Sequence, residues 1–320
     1  MNRTPWNRTI VETSTGPREA VEPVILSASR STDIPAFYAP WLVGRFRAGY
    51  LRWVNPFNNT SQYISLAAVR AIVFWSKHPL PLLGHLEAFA DIGWYLSQTL
   101  NDYEPEGLEP GVPPLGSRLA AFETFVRLVG SARVIWRADP LLLLDGLGVN
   151  GLLERVRAVA KRVRGMTERL VFSFADIREY RKVARNLAAC GCAWREWDRV
   201  SMEGAAAGLA AIGREFGLEV SSCAEAIDLS RFGIAHGRCV DGGLLRRLFP
   251  GDERLMTFLD SPRSGKDPGQ RPACGCTVSK DIGRYNTCPH GCVYCYANTS
   301  VVAATRNARR HDPAADSILP

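Results

Sequence analysis

Three cysteines near the end of the chain have the spacing of metal ligands. Cys288, Cys292 and Cys295 form the pattern C-x3-C-x2-C, and the aromatic Tyr294 directly precedes the third cysteine. Five of the nine cysteines of the chain lie within residues 274–296. Thiolates at this density usually hold a metal ion or an iron–sulfur cluster. The stretch therefore predicts metal binding.

The spacing of these three cysteines favours a cluster over a single ion. Three thiolates can bind three irons of a [4Fe–4S] cluster, which leaves the fourth iron open to a small molecule. The alternative is a zinc site with Cys274 or Cys276 as fourth ligand, because zinc readily takes four sulfur ligands in a tetrahedron. Zinc ribbons more often use paired C-x2-C, so we expect the iron–sulfur cluster.

Four other cysteines suggest a second site. Cys274 and Cys276 exceed the number of ligands that the first cluster needs, and together with Cys223 and Cys239 they would supply four thiolates. The alternative is that some of them are buried as small apolar side chains. A further Cys-Gly-Cys at residues 190–192 is interpreted as structural.

Six apolar runs predict the scaffold that positions these cysteines. They lie at residues 24–29, 71–75, 94–100, 132–136, 170–174 and 218–222. Amphipathic helices separate most of them, as in right-handed βαβ units. We therefore expect an α/β fold, a partial TIM-like (β/α)6 barrel that ends in the iron–sulfur loop. Two further short strands are expected around a turn, at residues 51–56 and 62–65.

Polar side chains follow several of these runs. In barrel enzymes the carboxyl ends of the strands carry the active site, so these side chains could hold a substrate. Helix caps and ion pairs between loops are the alternative interpretation. The candidate catalytic residues are Arg30, Asp33, Lys77, Arg137 and Asp139.

The expected organisation has five parts. Residues 1–22 form a disordered N-terminal tail, and residues 23–260 the barrel-like domain. A linker at residues 261–272 leads to the cysteine-rich segment, residues 273–300, which packs on the barrel. Residues 301–320 form a C-terminal tail. The boundaries follow shifts to polar, Pro- and Gly-rich composition.

The bulk composition limits the partners and the compartment. The chain has 320 residues, a net charge of +7 and 46% hydrophobic residues, so it can bury a large core and tolerate an anionic partner such as nucleic acid. It contains no apolar run of about 18 residues, so we expect no membrane span. The N-terminal residues include no apolar signal region, and the cysteines are clustered, so we expect a cytoplasmic protein.

The cysteine stretch resembles the cluster loop of radical S-adenosylmethionine (SAM) enzymes. Residues 288–297, CPHGCVYCYA, are similar to the form found in the spore photoproduct lyase branch. The resemblance implies that Cys288, Cys292 and Cys295 bind three irons of a [4Fe–4S] cluster, that SAM chelates the fourth and that Tyr294 contacts its adenine. It also implies a flavodoxin- or ferredoxin-like electron donor and a small-molecule, peptide or nucleotide substrate.

The chain from about residue 24 to residue 298 also resembles domain-of-unknown-function family 1848. The matching motifs are SASRSTDIPA at 27–36, NPFN at 55–58, FWSKHP at 74–79, RADP at 137–140, CAE at 223–225 and GIAHGRC at 233–239. This resemblance implies an iron–sulfur protein on a partial barrel.

One departure from radical SAM enzymes leaves two interpretations open. In those enzymes the cluster loop follows the first barrel strand, whereas here it follows the sixth expected strand. Either the connectivity is permuted, or the chain does not use SAM. The hypotheses are therefore a radical SAM-like enzyme, a SAM-independent redox or sensing iron–sulfur protein, and a zinc-stabilised nucleic-acid-binding module.

Overall fold

The fold is taken from a computed structural model that describes residues 5–319. The strands, in chain order, are β1 (Asn7–Thr13), β2 (Gly16–Glu22), β3 (Ile25–Ala28), β4 (Tyr50–Val54), β5 (Ser61–Ser65), β6 (Ala71–Ser76), β7 (Gly93–Thr99), β8 (Val134–Leu141), β9 (Arg169–Phe174), β10 (Glu219–Ser222), β11 (Ala235–His236) and β12 (Lys280–Asp281). The helices are α1 (Ile34–Phe37), α2 (Ala39–Ala48), α3 (Leu115–Val129), α4 (Val149–Arg162), α5 (Arg181–Ala189), α6 (Arg199–Phe216), α7 (Gly242–Leu248), α8 (Glu253–Asp260) and α9 (Val301–Arg309). Short 3₁₀ segments lie at Leu80–Phe89, Ser131–Arg133, Ser230–Phe232 and Pro262–Ser264.

Eight strands form one sheet, in the order β11, β10, β9, β8, β7, β6, β3, β12. Every adjacent pair in it runs parallel. Its six central members are the strands expected from the apolar runs, so the α/β class is confirmed. The two edge strands have only two residues each, and such short pieces leave no periodic signal in the sequence.

The sheet does not close into the expected barrel, because β11 and β12 are its two open edges. One face, called the inner face here, is covered by α7 and α8. Leu245 on α7 and Leu255 on α8 belong to the same buried cluster as Val73 and Tyr95 of the strands. The interior of an eight-stranded barrel has room only for side chains. Two helices on this face therefore require an open sheet.

The strands are buried on both faces, which explains their nearly continuous apolar runs. On β6, Val73 packs on the inner face, whereas Ile72 and Phe74 pack on the opposite face in the main core. The same alternation places Tyr95 inside and Leu96 outside on β7. Tyr95 Oη donates to the carbonyl oxygen of Cys239 at 2.6 Å, so the inner face contacts the segment that follows β10.

A second sheet of four strands has the order β1, β2, β5, β4. The expected pair is confirmed, since β4 and β5 are antiparallel. Residues 7–22, expected in a disordered tail, instead form the antiparallel hairpin of β1 and β2. Its polar residues alternate on a largely exposed ribbon, so the sequence shows no apolar period. Residues 1–4 of the expected tail lie outside the described residues.

The short strand β12 places the cysteine stretch at the sheet. Its Asp281 accepts hydrogen bonds from Ser27 Oγ and from the backbone nitrogen of Arg30, both at 2.8 Å. A Cβ added to Gly283 would lie 1.8 Å from Ser29 Oγ, so this close approach requires glycine. The chain thus leaves β12 at the carboxyl end of the sheet, beside the end of β3.

The C-terminal residues fold back on α2 and β4. Trp41 Nε1 donates to the carbonyl oxygen of Ala315 at 3.0 Å, and Arg52 forms an ion pair with Asp316 at 3.0 Å. The polar tail expected at residues 301–320 is therefore α9 followed by a docked segment, up to residue 319. The linker expected at residues 261–272 contains the last 3₁₀ segment and the buried Asp267.

The longest helix, α6, has 18 residues. The side chain of Asp198 caps its start by accepting a hydrogen bond from the backbone nitrogen of Ser201, and Gly217 ends it with φ +70°. Across residues 5–319, no helix combines the length and the apolar character that a membrane span needs.

Candidate functional site

The cysteine loop, residues 282–298, is fixed to the carboxyl ends of the strands. Tyr38 Oη donates to the carbonyl oxygen of Thr287 at 2.5 Å, and Thr287 Oγ1 donates to Thr32 Oγ1 at 3.0 Å. Farther along, the backbone nitrogen of Val293 donates to the carbonyl oxygen of Leu108 at 2.9 Å. The loop therefore packs between the segments that follow β3 and β7.

The loop thiols, Cys288, Cys292 and Cys295, lie close enough to influence one another electrostatically. All three are half-buried. Burial raises the pKa of Cys288 to about 12, and it also raises the pKa of Cys292, where Lys77 opposes the rise. Cys288 and Cys292 would therefore remain protonated at neutral pH without a nearby cation, and a bound metal supplies the positive charge that ionises its thiol ligands.

The arrangement does not form a site for one metal ion. Within residues 5–319, no three or more His, Cys, Asp or Glu side chains surround a common point as ligands of one ion would. This holds for the loop thiols and for the other cysteines alike. The iron–sulfur cluster expected from the spacing of the loop thiols therefore stays a prediction.

Asp33 and His290 connect the loop to β3 and β6. Asp33 caps α1 by accepting from the backbone nitrogen of Ala36 at 3.0 Å, and it also accepts from the backbone nitrogen of Lys77 at 2.8 Å. His290 Nε2 lies 2.9 Å from Asp33 Oδ2, and its Nδ1 lies 3.1 Å from the carbonyl oxygen of Gly111. Burial alone would raise the pKa of Asp33, but the bonds from His290 and Lys77 outweigh it and lower that pKa.

Lys77 lies at the centre of a buried polar network beside the loop. Its Nζ donates to Glu109 Oε1 at 2.6 Å and to Tyr294 Oη at 3.0 Å. Tyr294 Oη also donates to Glu109, and Asn101 Nδ2 lies 3.3 Å from it. Arg118, fully buried on α3, adds a charge 3.6 Å from Glu109. Burial would raise the pKa of Glu109, but Lys77 and Arg118 together lower it.

A second polar group lies on the inner face around Trp75. The guanidinium carbons of Arg30 and Arg137 stand 5.3 and 4.8 Å from the centre of its ring. Arg137 Nη2 donates to Asp139 Oδ2 at 2.6 Å, and Ser173 Oγ donates to the other oxygen of Asp139. Nη1 of Arg30 lies 3.9 Å from Asp281 Oδ2 in an ion pair. Within the described residues, Nη1 and Nη2 are buried without a hydrogen-bond partner. The guanidinium therefore has N–H donors left for an anionic group.

The inner-face thiols, Cys223, Cys239, Cys274 and Cys276, lie against the same arginines. The sulfur atoms of Cys223 and Cys239 are 2.9 Å apart, and Arg137 Nη1 donates to Cys239 Sγ at 2.6 Å. Hydrogen bonds from Cys239 and Cys274 lower the pKa of Cys276. Burial disfavours the charge of Arg30, but Cys276 and Asp281 outweigh it and raise its pKa. The four cysteines proposed as a second site are thus brought together.

The five candidate catalytic residues fall into two adjacent groups. Asp33 and Lys77 contact the cysteine loop, whereas Arg30, Arg137 and Asp139 face the inner-face thiols. Lys77 also lowers the pKa of Asp139, behind burial and Arg137 among its causes, so the two groups share one electrostatic environment. Their catalytic roles stay predictions.

Several residues of this region carry no functional signal in the sequence. Trp75 belongs to an expected strand, and Glu109 lies in a Pro- and Gly-rich loop without any motif. Asp281 precedes the cysteines by seven positions and reads as an ordinary polar residue. One signal in the sequence points to Glu109. A lysine buried near a strand end, such as Lys77, needs a carboxylate partner, and the neighbouring sequence supplies none.

The remaining Cys-Gly-Cys lies at the end of α5. Cys190 is exposed, and the sulfurs of Cys190 and Cys192 are 3.2 Å apart.

Comparison with known proteins identifies the family. Residues 25–297 match the family model described as Domain of unknown function (DUF1848). The chain belongs to this family. No curated protein matches this member of the family. Among solved structures, it is similar to a "putative alpha-L-fucosidase" from Bacteroides thetaiotaomicron, at 10% identity and a TM-score of 0.26, over 76% of this chain and 81% of the other.

Proposed function

We propose that this protein is a radical SAM-like enzyme that binds a [4Fe–4S] cluster through Cys288, Cys292 and Cys295. The supporting observation is the position of the cysteine loop directly after β12, the edge strand beside β3. The spacing C-x3-C-x2-C alone would also suit other sulfur sites, but its place at the carboxyl end of a parallel sheet is where such folds build active sites.

The strand order supports the permuted connectivity. Counted across the sheet, β12 is the first strand and is followed by β3, β6, β7, β8, β9 and β10. The cysteine loop, although late in the chain, thus follows the first strand in space. Radical SAM enzymes, which the loop resembles, place it after their first barrel strand. The spatial arrangement is therefore compatible with that chemistry on an open sheet.

The side chains around the loop suit the handling of a charged cluster and an anionic substrate. When bound, a [4Fe–4S] cluster with one open iron would supply the electron for reductive cleavage of SAM. Lys77 places a positive charge near Cys292 and opposes the rise that burial causes in the pKa of this thiol. His290 holds the loop against Asp33. The guanidinium of Arg30, whose Nη1 and Nη2 lack hydrogen-bond partners among the described residues, would bind a carboxylate or phosphate of the substrate.

The surroundings of Tyr294 favour a second candidate function. Its hydroxyl group is engaged by Lys77 and Glu109, and its ring meets Tyr103 edge-on at 5.8 Å between centres. Only 8% of the residue is exposed. A tyrosine held this way stabilises the loop, and its contact with adenine stays a prediction. In a SAM-independent redox or sensing iron–sulfur protein, Tyr294 would need only to stabilise the loop.

The proposed enzyme requires partners that follow from its chemistry. A flavodoxin- or ferredoxin-like protein would deliver the electron, and the substrate would be a small molecule, a peptide or a nucleotide that carries an anionic group. A cytoplasmic location would keep the thiols reduced. The zinc-stabilised nucleic-acid-binding module remains the third hypothesis, and a colourless protein with zinc at the loop thiols would support it.

The test is anaerobic reconstitution with iron and sulfide, followed by incubation with SAM and dithionite. The proposal predicts a brown protein that produces 5′-deoxyadenosine and methionine, and a Cys292→Ser variant that produces neither. A Cys190→Ser variant is the matched control and should behave as the wild type. A brown protein that never cleaves SAM would favour the SAM-independent function, and a protein that takes up no iron would refute both.

A further inference from the structure

The inner-face thiols form a connected cluster built from three separate segments. Cys223 follows β10, Cys239 precedes α7, and Cys274 and Cys276 lie on the segment that leads to β12. The side chain of Cys239 bonds to those of Cys223 and Cys276, and Cys276 also bonds to Cys274. Four sulfurs from distant parts of the chain therefore meet at one place.

Positive charges and N–H donors surround this cluster. Arg137 Nη1 donates to Cys239 Sγ at 2.6 Å, and the backbone nitrogen of Val240 donates to Cys276 Sγ at 3.3 Å. The guanidinium of Arg30 adjoins Cys276 as well, with two nitrogens that lack hydrogen-bond partners among the described residues. Outer donors of this kind orient and stabilise metal-bound thiolates. Packing of small apolar side chains would require none of them.

The one direct sulfur contact suits a single ion better than a second cluster. Zinc–sulfur bonds of about 2.3 Å place the sulfurs of a tetrahedral site about 3.8 Å apart. The sulfurs of Cys223 and Cys239 are 2.9 Å apart, so they would separate by about 0.9 Å. As placed, no three of the four side chains are positioned to hold a metal ion, so binding also requires Cys274 and Cys276 to turn toward the same point. An iron–sulfur cubane would require a much larger expansion.

We propose that Cys223, Cys239, Cys274 and Cys276 bind one Zn²⁺ ion as a tetrathiolate site. Binding releases the thiol protons, and the four thiolates with one divalent ion carry a net charge of two negative units. Arg30 and Arg137 supply two positive charges against them, the first shared with Asp281 at 3.9 Å and the second with Asp139. Tetrahedral sulfur coordination without an open position is typical of structural zinc. This inference does not depend on the proposed function.

The position of the site indicates what the ion does. Three of its four ligands are at most 5% exposed, and Cys223 is half-buried, which leaves a route for the ion from solvent. Cys274 and Cys276 lie on the segment that covers the inner face and then enters β12. The ion would tie this segment to the end of β10, and so would hold in place the strand from which the cysteine loop begins.

The experiment compares two Cys-Gly-Cys pairs in one protein. In a background with the loop thiols replaced (Cys288→Ser, Cys292→Ser and Cys295→Ser), the proposal predicts about one zinc per chain and no visible colour. Adding Cys274→Ser and Cys276→Ser should reduce zinc to background. The control adds Cys190→Ser and Cys192→Ser, the exposed pair at the end of α5, and should keep the zinc.

Several results would overturn the inference. Zinc that is absent from the triple variant, or lost equally in the control, would do so. Iron and sulfide retained by the triple variant would show a second cluster in place of one ion. A Cys223–Cys239 disulfide, detected by mass spectrometry after alkylation, would show a redox pair. Because the variants could unfold, X-ray absorption at the zinc edge of the wild-type protein is the second measurement, and any ligand shell other than four sulfurs contradicts the proposal.

Discussion

The two groups of cysteines differ in how their sulfurs are held. The loop thiols come from one stretch of eight residues and influence one another through charge, beside two lysines, Lys77 near Cys292 and Lys182 near Cys295. The inner-face thiols come from three segments, form direct sulfur contacts and adjoin two arginines. The loop thiols, which come from one short motif, thus stay separate from one another. The inner-face thiols, which the fold brings together from distant segments, contact one another directly.

This difference suggests that the two groups of thiols have different functions. Separated thiols at the carboxyl ends of parallel strands leave room for a cluster with an accessible iron, which reactive sites require. Closely packed thiols between α7 and the sheet exclude further ligands, which suits a structural ion. Both groups lie next to candidate catalytic residues, but only the loop thiols adjoin the network around Lys77 and Glu109.

The largest expected effect separates the two groups directly. Replacing Cys288 with Ser should remove nearly all iron from the anaerobically purified protein, because three thiolates are the minimum that anchors the cluster. Zinc at the inner-face thiols should be unchanged. Elemental analysis measures both metals at once. Loss of zinc together with iron would contradict two independent centres.

The next prediction concerns the buried ion pair beside the loop. Replacing Glu109 with Gln leaves Lys77 without its carboxylate, and breaking a buried pair in this way costs about 3–5 kcal/mol of unfolding free energy. Urea denaturation of the reconstituted protein measures it. The matched control is Glu123→Gln, whose partner Arg127 is 71% exposed, so it should change stability by about 0–1 kcal/mol. Equal losses of unfolding free energy in the two variants would show that the buried pair contributes no more than the exposed one.

A smaller effect tests how closely β12 approaches β3. Gly283→Ala places a methyl group 1.8 Å from Ser29 Oγ and 2.3 Å from Ser31 Oγ. Overpacking of this kind typically costs about 1–3 kcal/mol. Gly204, on the exposed side of α6, has nothing within 4 Å of its added Cβ, so Gly204→Ala should stabilise by about 0.5–1 kcal/mol. Thermal unfolding compares the two, and a stabilising Gly283→Ala would refute the position of β12.

The smallest expected effect concerns α8, one of the two helices that cover the inner face. Asp252 caps α8 and pairs with Arg70 at 2.8 Å. Burial would raise the pKa of Asp252, but the bond from Arg70 outweighs it and lowers that pKa. The ion pair therefore adds stability above about pH 4, the pKa of the unfolded chain, and this stability is lost as the pH falls through the lower folded pKa.

Asp252→Asn keeps the helix cap and removes the charge. It should cost about 1 kcal/mol at pH 7. The difference from wild type should shrink as the pH falls below about 4 and vanish below the lower folded pKa. Denaturation curves at pH 7 and at a series of acidic pH values measure it. A difference that persists unchanged at low pH would show that charge is not the cause.

How much the sequence revealed depended on how local the signal was. The six central strands and the loop thiols were predictable, because each is a continuous run or a short spacing. The edge strands β11 and β12 were not, because two residues carry no period. The partner of β12 also lies more than two hundred positions away, as the bond between Asp281 and Ser27 shows. Glu109 was missed for the same reason, since only the fold brings it to Lys77. The sheet stays open because α7 and α8 cover its inner face. Their apolar faces predict that they pack on a core, but not on which surface of the sheet.

The most direct measurement of the whole account is the metal content of the wild-type protein, purified without oxygen and reconstituted. Iron, acid-labile sulfide and zinc would be counted on one sample, together with the visible spectrum. We predict about four iron, four sulfide and one zinc per chain, with a brown colour. A colourless protein with zinc alone, at the loop thiols or elsewhere, would contradict the proposed iron–sulfur cluster.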